Sequence, residues 1–481
     1  MGKEPGLLVF PAAVVTLAGS GDRNGTLNDG SHVMKRFSLT AAVLGLVVST
    51  GTAVRAGESP DLAELEARIG RSPTISDLVA YAYETNPEIR AARAGWRAVV
   101  EQYRVATAYP DPQLMVTYFP KPIETRLGPQ DWNATLSQGI PFPGKLSKAG
   151  DLVQADARIA RLELDKAVRE VVVNIRESYH ELLYIRQAKQ AVKQNGELLD
   201  HLRKLAETSY AQDRAAFVDV VKAQSQSAQL QYDSILLEEL EETEIARLNA
   251  LLNRPPAEGI GPVQPVTLPS LAYGLDEIYR LAEANQEEIR MAETRLEKAV
   301  DKVALARYQN LPDFRVGVFY AGIGDPDVAV PPKDAGRDAV GLQAGVSIPL
   351  WAGRNKSRVA GARAEVERAR SMKAMRVNET HAQIRSLFFR LRNAERLVHL
   401  YRDNLLPQAA QAVEVSETWF QQGEGSFSDF VETQAVWYNF QLSLARAQAD
   451  YGRFLARLER LAGRSLTEKE EEKPTSGEEP G

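Results

Sequence analysis

The 481-residue chain has no cysteine, five histidines and only 7% aromatic residues. Without cysteine there is no disulfide framework, no thiolate-bound zinc or iron–sulfur cluster, no thiol nucleophile and no thioether-linked lipid. His180, His201, His381 and His399 are scattered, with no H-x3-H or HExxH spacing, so a metal has no ligand set. Phosphate loops, dinucleotide fingerprints and nucleophile elbows are missing too. There is no basic excess: 58 Lys and Arg against 64 Asp and Glu leave a formal charge of -6, which argues against a polyanion partner. Nor does a long Gly/Ser or Pro-rich linker divide the interior, so the chain reads as one extended architecture. These absences point away from an enzyme, a cofactor and nucleic acid.

What is present begins with an export pattern. Met34-Lys35-Arg36 precedes the apolar run Phe37 to Val48, and Val54-Arg55-Ala56 offers small residues for a signal peptidase. At about 14 residues the apolar stretch is below the roughly 18 to 20 needed to span a bilayer. Residues 1–56 are therefore expected to be an amino-terminal extension and signal peptide. No later segment supplies a membrane helix, so later contact with a bilayer would have to use strands or an oligomer.

The main internal signal is a duplication at about 200 to 210 residues. Leu78 and Ile89 are echoed by Ile278 and Ile289, and Pro110-Asp111 by Pro312-Asp313. Ile140-Pro141-Phe142-Pro143-Gly144-Lys145 is echoed by Ile348-Pro349-Leu350-Trp351-Ala352-Gly353-Arg354, and Asp219-Val220-Val221-Lys222-Ala223-Gln224 by Asp429-Phe430-Val431-Glu432-Thr433-Gln434. The repeats are expected over 57–262 and 263–464, with a disordered charged tail over 465–481.

Within each repeat the hydrophobic period switches. Ile384, Leu387, Leu391, Ala394, Val398, Tyr401 and Leu405 step by three and four, as do Val168, Val172, Ile175, Tyr179 and Leu182. Each seam predicts a helix of about 65 residues, roughly 100 Å long. Shorter helices are expected over Pro87 to Ala108, capped by Asn86, and over Ala216 to Asn253; end to end they match one long helix. The paired acids Glu238-Glu239 and Glu241-Glu242 read as a solvated face. Leu114 to Phe119, Trp132 to Ile140, Phe314 to Tyr320 and Val340 to Ile348 alternate with period two, as barrel strands do, broken at Gln138. The intervening loops are expected at Pro120 to Asp131 and Ala321 to Asp338. Four strands cannot close a barrel, so spanning a membrane requires an oligomer.

This order of motifs in duplicate, with Asn86-Pro87, the Pro110-Asp111 and Pro312-Asp313 strand starts and Phe420-x-x-Gly423 before Asp429, resembles the TolC-type outer membrane efflux protein family over about Thr74 to Gly463. The resemblance implies a homotrimer in the Gram-negative outer membrane: a twelve-stranded barrel, four strands per chain, above a long periplasmic α-helical barrel. It further implies a passive exit duct, docked to a periplasmic adaptor and an RND- or ABC-type inner-membrane transporter. In such proteins function sits at the helix tips. Asp429 and Glu432, one helical turn apart, would form an acidic ring at the pore entrance; as bare helix charges near an N-terminus they would be favourable in any case. Phe420, Gly423 and Gly425 fit the gate turn, the glycines by permitting a left-handed backbone. Tyr210, Asp213, Arg214 and Glu424 fall on the tips an adaptor would grip. The Ile140 to Lys145 stretch resembles that of family members linked to heavy-metal and cation pumps, which implies a slight lean toward metal cations over drugs. The alternative without strands in a membrane is an exported periplasmic coiled-coil scaffold or adaptor-like protein.

Overall fold

The computed structural model describes residues 61–211, 216–265, 267–422 and 424–467. The expected signal segment, Asp213, Arg214, Gly423 and the tail from Glu468 lie outside these described residues.

Helix α1 (Leu62–Arg71) and α2 (Ile75–Thr85) lead into α3 (Pro87–Thr107). Asn86 caps α3 as its position before Pro87 predicts: its Oδ1 accepts from the backbone N–H groups of Glu88 and Ile89 at 2.9 and 3.2 Å. Strands β1 (Gln113–Thr125) and β2 (Gly128–Ile140) follow, then the 67-residue α4 (Lys145–Ala211), which is about 100 Å long at 1.5 Å per residue, and α5 (Phe217–Leu252). The second repeat has α6 (Leu275–Asn285), α7 (Glu287–Tyr308), β3 (Asp313–Ile323), β4 (Ala339–Ser347), α8 (Ala352–His399), a π-helical segment Leu400–Leu405, α9 (Leu406–Gln422) and α10 (Phe427–Ala462). As the length match requires, α3 lies along the first part of α4 and α5 along the second.

Three expectations need correction. The connection expected at Pro120 to Asp131 is mostly strand: β1 runs to Thr125, and its register against β2 shifts between Tyr118 and Ile123. Pro120 and Pro122 lie in that interval and have no N–H to give the ladder, so the strand bulges and continues. β3 likewise runs three residues into the second expected loop. The tail does not begin at Ser465. Leu466 is fully buried, its N–H donates to Glu459 Oε1 at 2.9 Å and its carbonyl accepts from Ala272 N at 2.9 Å, so burial anchors the chain before Glu468. The Glu241 part of the acidic run is also no free face. Arg186 and Lys189 reach it at 2.7 and 2.6 Å, and although burial pushes its pKa up, those two hydrogen bonds outweigh it and hold the carboxyl below its usual range.

The second long helix differs from the first by the π segment. Above it the buried pairs Ile175/Ile384 and Leu182/Leu391 set one register between the repeats; at the tips Asp219/Asp429 and Phe217/Phe427 set a register one residue longer. A π bulge is a one-residue insertion absorbed within a helix. Pro407, which lacks an N–H and crowds the carbonyl four residues back, sits just after it.

Each repeat has its own core at mid-height. Leu78, Ile89, Ile175, Tyr179, Leu182, Leu248 and Leu252 form one, and Ile278, Ile384, Leu391, Leu455 and Leu458 the other. A third cluster, with Val192, Leu230, Phe427 and Phe430, ties α4, α5 and α10 together toward the tips. Ion pairs run along the α4–α10 seam: Arg457 and Arg176 pair with Glu177 and Glu459, and Glu181 receives Arg446 and Arg453 at 2.8 and 2.7 Å.

Candidate functional site

The four strands form one antiparallel sheet in the order β1-β2-β3-β4. Directly opposed residues share a face, so the register assigns each side. One face carries the rows Leu114–Leu136–Val318–Leu342 and Val116–Ala134–Tyr320–Val340, with Ile140–Phe314–Val346 below. The other carries Gln113–Ser137–Gly317–Gln343, Met115–Thr135–Phe319–Gly341, Thr117–Asn133–Ala321–Ala339 and Gly139–Arg315–Gly345, mostly small and polar apart from Met115 and Phe319. The apolar face is uncovered: Leu114 is 69% exposed and Leu342 88%. Aromatic rings bracket it, Trp132 against Tyr320 at 5.2 Å at one end and Phe142 against Phe314 at 6.4 Å at the other. An 11-residue strand such as β3, at about 3.3 Å per residue and a tilt near 45°, rises roughly 25 Å, the height of a bilayer's apolar band. Gln138, the break in the alternation, lies at the helix end of the sheet, where its amide donates to the Pro110 carbonyl at 2.6 Å. Both outer strands, β1 and β4, keep one unpaired edge.

Below the sheet the Ile140 to Lys145 stretch is a junction between repeats. Lys145 Nζ donates to the Leu311 carbonyl at 2.8 Å and pairs with Asp313 at 2.7 Å, and the Phe142 N–H donates to the same carboxylate at 2.8 Å. Gly144 has φ 94°, and a Cβ there would sit 2.6 Å from the Tyr308 ring. The motif's residues are thus occupied in holding strand to helix. Gly144→Ala should lower the thermal midpoint of the protein, because strain at positive φ and the Tyr308 clash act together; a midpoint equal to that of the unchanged protein would show that the junction adapts.

At the opposite end, Ser426 caps α10 by accepting from Asp429 N at 3.1 Å. Asp429 and Glu432 are both exposed, while Phe427, Phe430 and Val431 between and around them are buried. Phe420 packs on Phe427 at 5.4 Å and stacks on Phe430 at 6.4 Å, and Tyr210 meets Phe217 at 5.7 Å, so the tip aromatics hold each hairpin together. Glu424 is exposed, and its N–H and that of Gly425 both donate to the Trp419 carbonyl, at 2.9 and 3.0 Å. Gly425 is not left-handed, contrary to expectation. Its reason is space, since a Cβ would lie 3.1 Å from Trp419 Cβ. Sequence reasoning did not find Lys222, whose Nζ donates to Ser428 Oγ at 2.6 Å while that hydroxyl donates to Glu432 at 3.3 Å. The repeat aligns Lys222 with Glu432, which was the available signal. Each chain thus brings the carboxylates of Asp219, Glu424, Asp429 and Glu432 and the Lys222 ammonium to its tips.

The family model for outer membrane efflux proteins matches residues 78–254 and 278–464, one match per repeat. The chain belongs to the outer membrane efflux protein family. No curated protein matches the sequence. Among solved structures, the outer membrane protein VceC from Vibrio cholerae is similar at a TM-score of 0.68 and 18% identity, covering 82% of this chain and 96% of that one. CusC, described in connection with transmembrane channel formation, has a TM-score of 0.69 at 14% identity over 81% of this chain and 92% of its own. The CmeC outer membrane channel of Campylobacter jejuni reaches 0.66 at 13% identity, covering 89% and 92%. At these identities the likeness is one of fold. As a family member, this efflux protein is a passive channel of the Gram-negative outer membrane, with helices extending into the periplasm, of the kind that serves tripartite pumps. No helix among its described residues is long and apolar enough to cross a membrane, so the strands are the part suited to lipid.

Proposed function

We propose that three copies close a twelve-stranded barrel and a helical tunnel beneath it, forming the exit duct of a tripartite efflux system. The observation that carries this reading is the sheet: one uncovered apolar face, one mostly small and polar face, and two open edges. Open edges in lipid leave backbone groups unpaired at several kcal/mol each, and further copies remove that cost. A coiled-coil scaffold in the periplasm would have no use for such a face. The tips at Tyr210 to Phe217 and Trp419 to Phe427 receive a periplasmic adaptor, below which sits an RND- or ABC-type transporter. Residues 57–262 and 263–464 serve as the two structural repeats.

The entrance is a ring of charge. Asp429 and Glu432 from three copies place six carboxylates around it, drawing cations inward and holding anions off, and this favours metal cations slightly over drugs as cargo. Lys222 tempers the ring, and Asp219 offsets Lys222. With Asp429→Ala and Glu432→Ala combined, Lys222 and Asp219 offset each other and, of these tip charges, Glu424 alone is left. The double variant in a planar bilayer under a salt gradient should therefore move its reversal potential toward zero, where the unchanged channel favours cations. A reversal potential that does not move removes these residues from selectivity. Recovery of the protein as a water-soluble monomer would remove the duct itself.

A further inference from the structure

We propose that neighbouring copies are joined below the membrane by an ion-paired helical seam, in which Glu239 and Glu242 on α5 of one copy face Arg385 and Arg390 on α8 of the next. The inference rests on the duct reading above and specifies how its ring is ordered.

Two helix faces are left without a partner in the chain. On α5, Ala228, Tyr232, Ile235, Glu239 and Glu242 step by three and four along one exposed stripe, opposite the buried Leu230, Leu237 and Leu248. On α8, Arg385, Phe389 and Arg390 are exposed, with the Arg385 guanidinium over the Phe389 ring at 5.8 Å. Among the described residues no ion pair involves Glu239, Glu242, Arg385 or Arg390. α4 packs against α3, α7, α5 and α10 of its own chain, whereas α8 packs against α7 and α10 and has no counterpart of α5 beside its lower part. The free edges agree with this, since β4 leads into α8 and β1 follows α3.

The duplication supplies the register. Above the π segment, Arg385, Phe389 and Arg390 occupy the positions that Arg176, His180 and Glu181 hold on α4. Glu239 and Glu242 of α5 occupy those of Ala449 and Gly452 on α10. Inside the chain His180 lies directly on Gly452, and Glu181 is gripped by Arg446 and Arg453 on either side of Ala449 and Gly452. Carried to the next pair of helices, that packing sets Phe389 on Glu242 and Arg390 beside Glu239. The charges are reversed relative to the inner seam. At Glu181 the long helix is acidic and the short helix, through Arg446 and Arg453, basic; at the same level between chains Arg390 makes the long helix basic and Glu239 and Glu242 make the short one acidic. Docking first repeat on first repeat would put Glu239 against Glu181 on an α4 already covered by α5 and α10, and second on second would put Arg390 against Arg446 and Arg453. Only the alternating ring avoids like charges, so the seam selects order as well as contact.

The test is charge reversal in the detergent-extracted full chain. E239R/E242R alone and R385E/R390E alone should each lose most of the heat-resistant trimer, and the four changes together should restore it. Because the chain has no cysteine, E242C/F389C should give covalent dimers and trimers on mild oxidation, independent of how the charge variants fold. Reversals that leave the trimer intact, or a failed rescue together with no crosslink in a protein that still runs as a trimer, overturn the seam and leave the duct standing. An unchanged chain that is monomeric in detergent overturns both.

Discussion

Leu342→Arg should remove the protein from the outer membrane, whereas Gln343→Arg, the adjacent residue, should leave insertion intact. The two side chains leave β4 on opposite faces: Leu342 stands in the apolar row with Leu136 and Val318, Gln343 in the polar row with Ser137 and Gly317. That row lies near the middle of the strands, where an arginine facing lipid costs about 2 to 4 kcal/mol, and a ring of three copies incurs it three times. On the other face the same charge meets water. Membrane fractionation with a heat-modifiability gel distinguishes the outcomes. Equal insertion of both variants would mean that the sheet does not meet lipid through its apolar side.

Acidification should weaken the folded protein between pH 6.5 and about 4 through His180, a residue the charge count does not notice. Its imidazole is buried at 4% exposure, packed edge-on to Tyr179 and pressed on Gly452, with Arg176 and Arg453 beside it. Burial first, then the two guanidinium charges, lower its pKa from 6.5 to about 4. The unfolded chain therefore takes up a proton in a range where the folded chain does not. Nothing is lost above pH 6.5; below it the penalty grows by about 1.4 kcal/mol per pH unit and levels off near pH 4, at about 3 kcal/mol per chain. Denaturant midpoints measured across that range for His180→Phe should show a flatter pH dependence than the unchanged protein. Parallel curves would assign the acid sensitivity to the carboxylates instead.

Much of the fold was legible in the sequence because its periods are long and duplicated. The three-and-four stepping of Ile384, Leu391 and Val398 persists for many turns, and Asn86-Pro87 marks a helix start within one residue. Where single residues decide the geometry, periodicity fell short. Pro120 and Pro122 read as loop, yet a bulge lets the strand pass through them. Ser465 and Leu466 read as the start of a charged tail, yet a single buried leucine and Glu459 hold them. The extra residue of the π segment has no signature in the hydrophobic stepping, since Tyr401 and Leu405 continue the pattern; Pro407 is its only trace. At the tips the sequence offered Asp429 and Glu432 as candidates, while the Lys222–Ser428–Glu432 chain went unread, because it joins residues of different repeats.

By itself the sequence determined that this protein is a duplicated, cysteine-free chain of long helices and alternating strands. Those properties repeat at short, regular intervals and need no knowledge of distant neighbours. Which faces are covered and which are left open was decided only in three dimensions. An apolar residue is equally apolar whether it meets a core, a lipid chain or a second copy. The register of β1 to β4, the contacts of α4 with both α5 and α10, and the bare sides of α5 and α8 distinguish those cases, because exposure depends on every element packed nearby.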